Sequence, residues 1–148
     1  MAIRGSTEID RPPEEVYAYS VDPSRRRAWQ APVQEIEQLS PGPLTAGTRV
    51  RERREVGGRA RTSVWEYTGL EPGRSWSFRG LDGPVRAEGT MRFTPTDGGA
   101  GTHVEFDFDL VGHGIGRLFA RLARRGGPEQ VAQDLGGLKR ELEGGAAT

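Results

Sequence analysis

Between Thr48 and Leu110 four turn signals interrupt runs of strand-forming residues: Gly57-Gly58, Pro72-Gly73, Asp82-Gly83 and Asp97-Gly98-Gly99. Glycine supplies the positive φ, and proline the fixed φ, that tight turns require. Turns this close together predict hairpins, and hence an antiparallel meander of five strands. The register follows by counting outward from each turn. A two-residue turn at Gly57-Gly58 sets Val56 opposite Arg59, Val50 opposite Trp65 and Arg49 opposite Glu66. Pro72-Gly73 sets Tyr67 opposite Phe78 and Glu66 opposite Arg79. Asp82-Gly83 sets Phe78 opposite Ala87 and Arg79 opposite Arg86. Opposite residues share a face. One face therefore collects Val50, Trp65, Tyr67, Trp76, Phe78, Ala87, Gly89, Met91 and Phe93, joined by Val104, Phe106, Phe108 and Leu110. The other collects Arg49, Arg51, Arg53, Glu66, Arg79, Arg86, Glu88, Arg92, His103, Glu105, Asp107 and Asp109. Such a sheet has one apolar face and one solvated face.

The apolar face needs a cover. Ile115, Leu118, Phe119 and Leu122 recur at helical spacing, as do Val131, Leu135, Leu138 and Leu142. They predict a long amphipathic helix across the sheet, interrupted at Gly126-Gly127-Pro128, where proline either opens a new helix or kinks an existing one. At the other end, Ile3 to Ile9 reads as a strand. Pro12 and Pro13 suit a helix start, and Glu14 and Glu15 suit its positive end. Asp22-Pro23 stops that helix, because a residue before proline avoids the helical region. Ser24 is placed to cap a second short helix from Arg25 to Trp29, with Trp29 pointing into the sheet's concavity. Arg25-Arg26-Arg27 reads as a solvated helix face.

The order of strand, two short helices, six strands and one long helix resembles the START-like helix-grip superfamily, SRPBCC, in its polyketide cyclase and lipid transport branch. The segments that carry the resemblance are "RPPEEVYAYSVDPSRRRAW", "YTGLEPGRSWSFRG", "MRFTPTDGGAGTHVEFDFDL" and "GGPEQVAQDLGGLKRELEG". The expected fold is α+β: a curved antiparallel sheet of about seven strands gripping the C-terminal helix on its concave face. One domain is expected over residues 1–144, with 145–148 a frayed tail. The resemblance implies a cavity between sheet and helix.

Composition narrows the function classes. With no cysteine the chain has no disulfide, thiolate metal site or cysteine nucleophile, and with only two histidines a catalytic metal is not expected. The 21 basic and 21 acidic residues cancel, which gives no support to nucleic-acid binding. No run of apolar residues is long enough to insert in a membrane. A cytoplasmic location is expected, with no cofactor, and a homodimer is possible. "GHGIGRLF" opens a helix but follows an antiparallel strand, so it is no dinucleotide site.

The aromatic face has two readings, a solid core or the lining of a hydrophobic cavity. The second takes Trp29, Val50, Trp65, Tyr67, Trp76, Phe78, Met91, Phe93, Phe106, Phe108, Phe119, Leu122 and Val131 as ligand-binding residues, with Ala87 and Gly89 leaving room mid-sheet. The register also brings Glu52, Arg54, Arg61 and Ser63 to the inner face near Gly57-Gly58. As a polar cavity mouth they would hold an anionic end of a ligand; otherwise they reach water. Binding of a hydrophobic small molecule, lipid or polyketide-like, is therefore the expected function. The alternatives are a polyketide cyclase/aromatase or dehydratase using Tyr67 and Glu52 as acid and base, and a protein-interaction domain docking through its charged outer face.

Overall fold

A computed structural model describes residues 3–56, 58–114, 116–117, 120 and 124–145. Strand β1 (Ile3–Ile9) leads into α1 (Pro13–Val21). Proline stands in the first turn of α1, Glu14 and Glu15 follow it, and Asp22 leaves the helix in an extended conformation. A single 3₁₀ turn (Pro23–Arg25) then feeds α2 (Arg26–Trp29). The cap of that turn is Asp22, whose Oδ1 accepts from Ser24 N at 2.9 Å. Ser24, the cap expected from the sequence, instead donates its hydroxyl to the same oxygen. Strands β2 (Val33–Gln38), β3 (Arg49–Val56), β4 (Arg59–Glu71), β5 (Ser75–Gly80), β6 (Val85–Thr96) and β7 (Gly101–Gly112) complete one seven-stranded antiparallel sheet, in the order β1-β7-β6-β5-β4-β3-β2. Gly116, Arg117 and Ala120 are helical. A 3₁₀ turn at Arg124–Gly126 precedes α3 (Gly127–Gly145), so the α-helix begins at the glycine-proline interruption, with Pro128 in its first turn.

The pairs Val56–Arg59, Val50–Trp65 and Arg49–Glu66 stand in register as expected, as do Tyr67–Phe78 and Glu66–Arg79. Around Pro72 two irregularities offset each other. The loop is one residue longer than a two-residue turn, so Glu71 pairs with Ser75, and a bulge at Thr68 takes up the extra residue. Trp76 consequently faces Leu70. Around Asp82-Gly83 the loop spans Leu81 to Pro84, and Phe78 lies opposite Gly89 where Ala87 was expected, with Arg79 opposite Glu88. The slip is two residues, the period of the strand, so no side chain changes face. The outer face is charged and internally paired. Arg79–Glu66 (2.8 Å), Arg92–Asp107 (2.6 Å), Arg51–Glu37 (3.1 Å) and Arg53–Glu35 (3.2 Å) bridge neighbouring strands.

On the inner face α3 packs along β1 and against α2, and buries Val131, Leu135, Leu138 and Leu142. It comes close because glycines stand at its contacts, on β1 and on the helix itself. A Cβ on Gly5 of β1 would stand 2.3 Å from Val131 Cγ1, and one on Gly127 2.3 Å from Ile3 Cδ1. The tightest approach is backbone to backbone: a Cβ on Gly137 would stand 2.5 Å from the carbonyl oxygen of Trp29.

Gly137→Ala should therefore destabilise the protein by about 2 kcal/mol. Its gain in helix propensity of about 1 kcal/mol is outweighed by forcing α3 away from α2. Gly136→Ala, where the nearest atom is the mobile Arg140 Nη1 at 3.4 Å, should be neutral or stabilising by up to about 1 kcal/mol. Thermal denaturation of the two variants measures the contrast.

Candidate ligand-binding site

The inner face divides into a closed half and an open half. In the closed half Val50, Trp65, Tyr67, Trp76, Met91, Phe93 and Phe106 are buried in one cluster with Trp29 and Val131. In the open half Phe78, Phe108 and Leu110 are only partly buried, as are Val85, Ala87 and Ser63. The aromatic rings run continuously from one half to the other. Trp65 meets Tyr67 at 5.0 Å and Phe78 at 5.8 Å between centroids, and Phe106 meets Phe78 at 6.3 Å and Phe108 at 5.5 Å. Phe119 and Leu122, two of the expected lining residues, lie outside the described residues, as do Ile115 and Leu118. Gly89 is a glycine for a local reason. A Cβ there would stand 2.5 Å from the Asp107 carbonyl oxygen and 2.5 Å from Phe108 Cβ, so the crossing of β6 and β7 excludes a side chain. Room for a ligand has to come from Ala87 and the partly covered aromatics around it.

Polar groups gather where α2, α3, β3 and β4 meet. Glu52 is buried, and both its oxygens are engaged: Trp65 Nε1 donates to Oε1 at 2.6 Å and Arg54 Nε to Oε2 at 2.7 Å. Half-buried Arg54 also donates from Nη2 to Gln30 Oε1 at 2.8 Å. Of the other two residues expected at the mouth, Ser63 is half-buried opposite Glu52, and Arg61, opposite Arg54, is exposed. Tyr67 donates its hydroxyl to the Val21 carbonyl, and burial pushes its pKa up to about 12. Trp76 Nε1 donates to Ser20 Oγ at 3.0 Å.

The arginine triplet departs from its expected solvated role. Arg25 and Arg27 are exposed, but Arg26 is only 4% exposed. Its guanidinium carbon lies 5.4, 5.3 and 4.9 Å from the ring centroids of Trp29, Trp65 and Trp76, within cation–π range of each. Its Nη2 reaches the Ser20 carbonyl at 3.4 Å. Asp134, on the buried stripe of α3, accepts from Gln130 Nε2 at 2.8 Å. Burial raises its pKa to about 6 from the ordinary 3.8, against the opposing pull of the Gln130 hydrogen bond and of Arg54 and Arg26. The sequence carried a signal for both residues. Arg26 precedes inward-pointing Trp29 by three positions, and Asp134 lies three past Val131 and four before Leu138, so each shares a helix face with a core residue.

The family described as polyketide cyclase / dehydrase and lipid transport matches residues 2–143. The chain belongs to this family. No curated protein sequence matches it. Among solved structures, this family member resembles a protein from Thermus thermophilus, with a TM-score of 0.81 at 24% identity, covering 99% of both chains. It resembles the Zhui aromatase/cyclase from a Streptomyces species at TM-score 0.79 and 20% identity, over 97% of this chain and 93% of that one. A START superfamily protein from Mycobacterium smegmatis follows the same path at TM-score 0.74 and 16% identity, over 95% and 98%. At these identities the likeness is one of fold. The polyketide cyclase and lipid transport branch and the helix-grip architecture expected from the sequence are those of the protein. Among the described residues no helix is long and apolar enough to cross a membrane.

The raised pKa of Asp134 has a measurable consequence. The folded family member holds this proton more tightly than the unfolded chain. The stability Asp134 contributes is complete below its ordinary pKa of 3.8 and is lost as pH rises through about 6. Asp134→Asn should remove that loss, gaining on the wild type by up to about 3 kcal/mol between about pH 4 and pH 7. Urea unfolding across that range gives the difference directly.

Proposed function

We propose that the protein binds a hydrophobic small molecule on the inner face of its sheet, over the open half bounded by Phe78, Ala87, Phe108 and Leu110. The observation that supports this most is the unequal coverage of one continuous aromatic surface: the rings sealed by the end of α1 and by Arg26 of α2 run on to a half-covered patch. Partly exposed apolar surface of this kind contributes roughly 25 cal/mol per Å² when a ligand covers it. The family's description names both polyketides and lipids, which agrees with an apolar ligand.

Binding is preferred to catalysis because the two expected acid–base groups are occupied. The Tyr67 hydroxyl is committed to a backbone carbonyl, and both Glu52 oxygens already hold donors. One observation favours a cyclase as second reading: Asp134 has a pKa of about 6, close to neutrality, where a general acid or base works best. Under that reading Asp134→Asn would abolish turnover of a poly-β-ketone analogue while sparing its affinity. Docking of a protein through the outer face has less support, since its charges are paired with one another.

Nile red, a neutral apolar dye, should bind with a blue shift of its emission. Ala87→Phe should fill the open half and weaken that binding at least tenfold, leaving the melting temperature within a few degrees. Met91 is a poorer site for such a test, because it is fully buried and added bulk there would strain the closed core. A folded protein that fails to bind the dye, or an Ala87→Phe variant with unchanged affinity, would overturn the proposal.

A further inference from the structure

The closed half holds two buried donors without a hydrogen-bond acceptor, Arg26 Nε and Trp29 Nε1. Both side chains are more than nine-tenths buried, at 4% and 2% exposure. They come from one turn of α2, three residues apart, and the guanidinium carbon of Arg26 is 5.4 Å from the Trp29 ring centroid. An orphaned buried donor is costly, and an unpaired buried charge more so. Three indole faces attract the guanidinium but accept none of its in-plane hydrogen bonds, and among the described residues no carboxylate forms an ion pair with it. The nearby acids make their hydrogen bonds elsewhere, Glu52 with Trp65 and Arg54, and Asp134 with Gln130, although Asp134 and Arg26 attract one another through space. Arg26 is therefore a preorganised cation, held by aromatic rings and by the Ser20 carbonyl through Nη2, with its Nε left without an acceptor.

This arrangement adjoins the proposed binding surface. Trp65, one of the rings beneath Arg26, meets half-buried Phe78 of the open half at 5.8 Å. Half-buried Arg54, beside Glu52 and Gln30, adds a second guanidinium along the same edge. A molecule lying on Phe78 and Phe108 would have its far end directed toward α2.

Building on the apolar site proposed above, we propose that the bound molecule is a hydrophobic carboxylic acid, taken up as its anion, whose carboxylate oxygens accept from Arg26 Nε and Trp29 Nε1. A carboxylate supplies two acceptor oxygens, one for each orphaned donor, and charge-assisted bonds of this kind are about twice as strong as neutral ones. A neutral carbonyl offers one oxygen where the site presents two donors, and it makes the weaker bond to a guanidinium.

The test is calorimetric titration with naphthalene-2-acetate and its uncharged amide near pH 7.5. The two share a ring system and differ in charge. The acid should bind at least tenfold more tightly than the amide. Arg26→Met, which keeps the apolar stem, should abolish that preference while leaving the affinity for the amide within about twofold. Trp29→Phe, which keeps a ring and removes one donor, should lower the acid-to-amide ratio several-fold and serves alone if Arg26→Met does not fold. Equal affinities of the wild type for acid and amide would overturn the carboxylate proposal and leave the apolar site standing. So would a Trp29→Phe or Arg26→Met variant that weakens both compounds alike. Binding of neither compound would overturn both proposals.

Discussion

Side chains on a strand alternate strictly, so a sheet built from short hairpins has two faces that cannot be exchanged without shifting every strand by an odd number of residues. The rest of this molecule depends on that constraint. The hairpin loops hold β3 to β7 in one parity, and β1 and β2 extend it at the two edges. Because the parity holds, rings from β4, β5 and β7 form one surface, and the charges of the other face neutralise each other across strands. The helices then have a single apolar surface on which to dock.

Where side chains pack tightly on that surface, polar atoms have been carried inside with them. Trp65 and Trp76 bring indole N–H groups that need acceptors, and Glu52 and Ser20 are buried to supply them. Glu52 in turn needs a cation, and Arg54 and Gln30 follow. The chain of obligations ends at Arg26 and Trp29, where donors are left over. Among the described residues, buried side-chain polar atoms without a partner are confined to that place.

The strands, their faces and the identity of the covering helix were legible in the sequence because they rest on local rules. Positive φ at Gly58, Gly73 and Gly83 is what their turns require, and period-two alternation does the rest. Loop lengths were less legible. A longer loop after Glu71 and a bulge at Thr68 leave the Tyr67–Phe78 pairing unchanged, and a two-residue slip at Asp82 conserves parity, so composition shows neither. Arg26 was misread because a run of three arginines looks solvated when taken alone. Only its spacing from Trp29 separates it from its neighbours. Gly89 was misread in the opposite sense: a gap in side-chain volume resembles room for a ligand until the adjoining backbone is known to occupy it.

The seating of α3 on glycines bears on how such a protein could diversify. At Gly137 the distance between the long helix and its neighbour is set by main-chain atoms, which substitutions elsewhere do not alter. The anchored half can therefore stay constant while residues such as Ala87, Phe108 and Leu110 change freely, since none of them supports the helix at that point. Under the proposed binding mode, the seating of the helix and the choice of the ligand's apolar part are thereby carried by different positions of the molecule. A lineage could exchange one cargo for another through single substitutions, without first having to find a compensating repair to its scaffold.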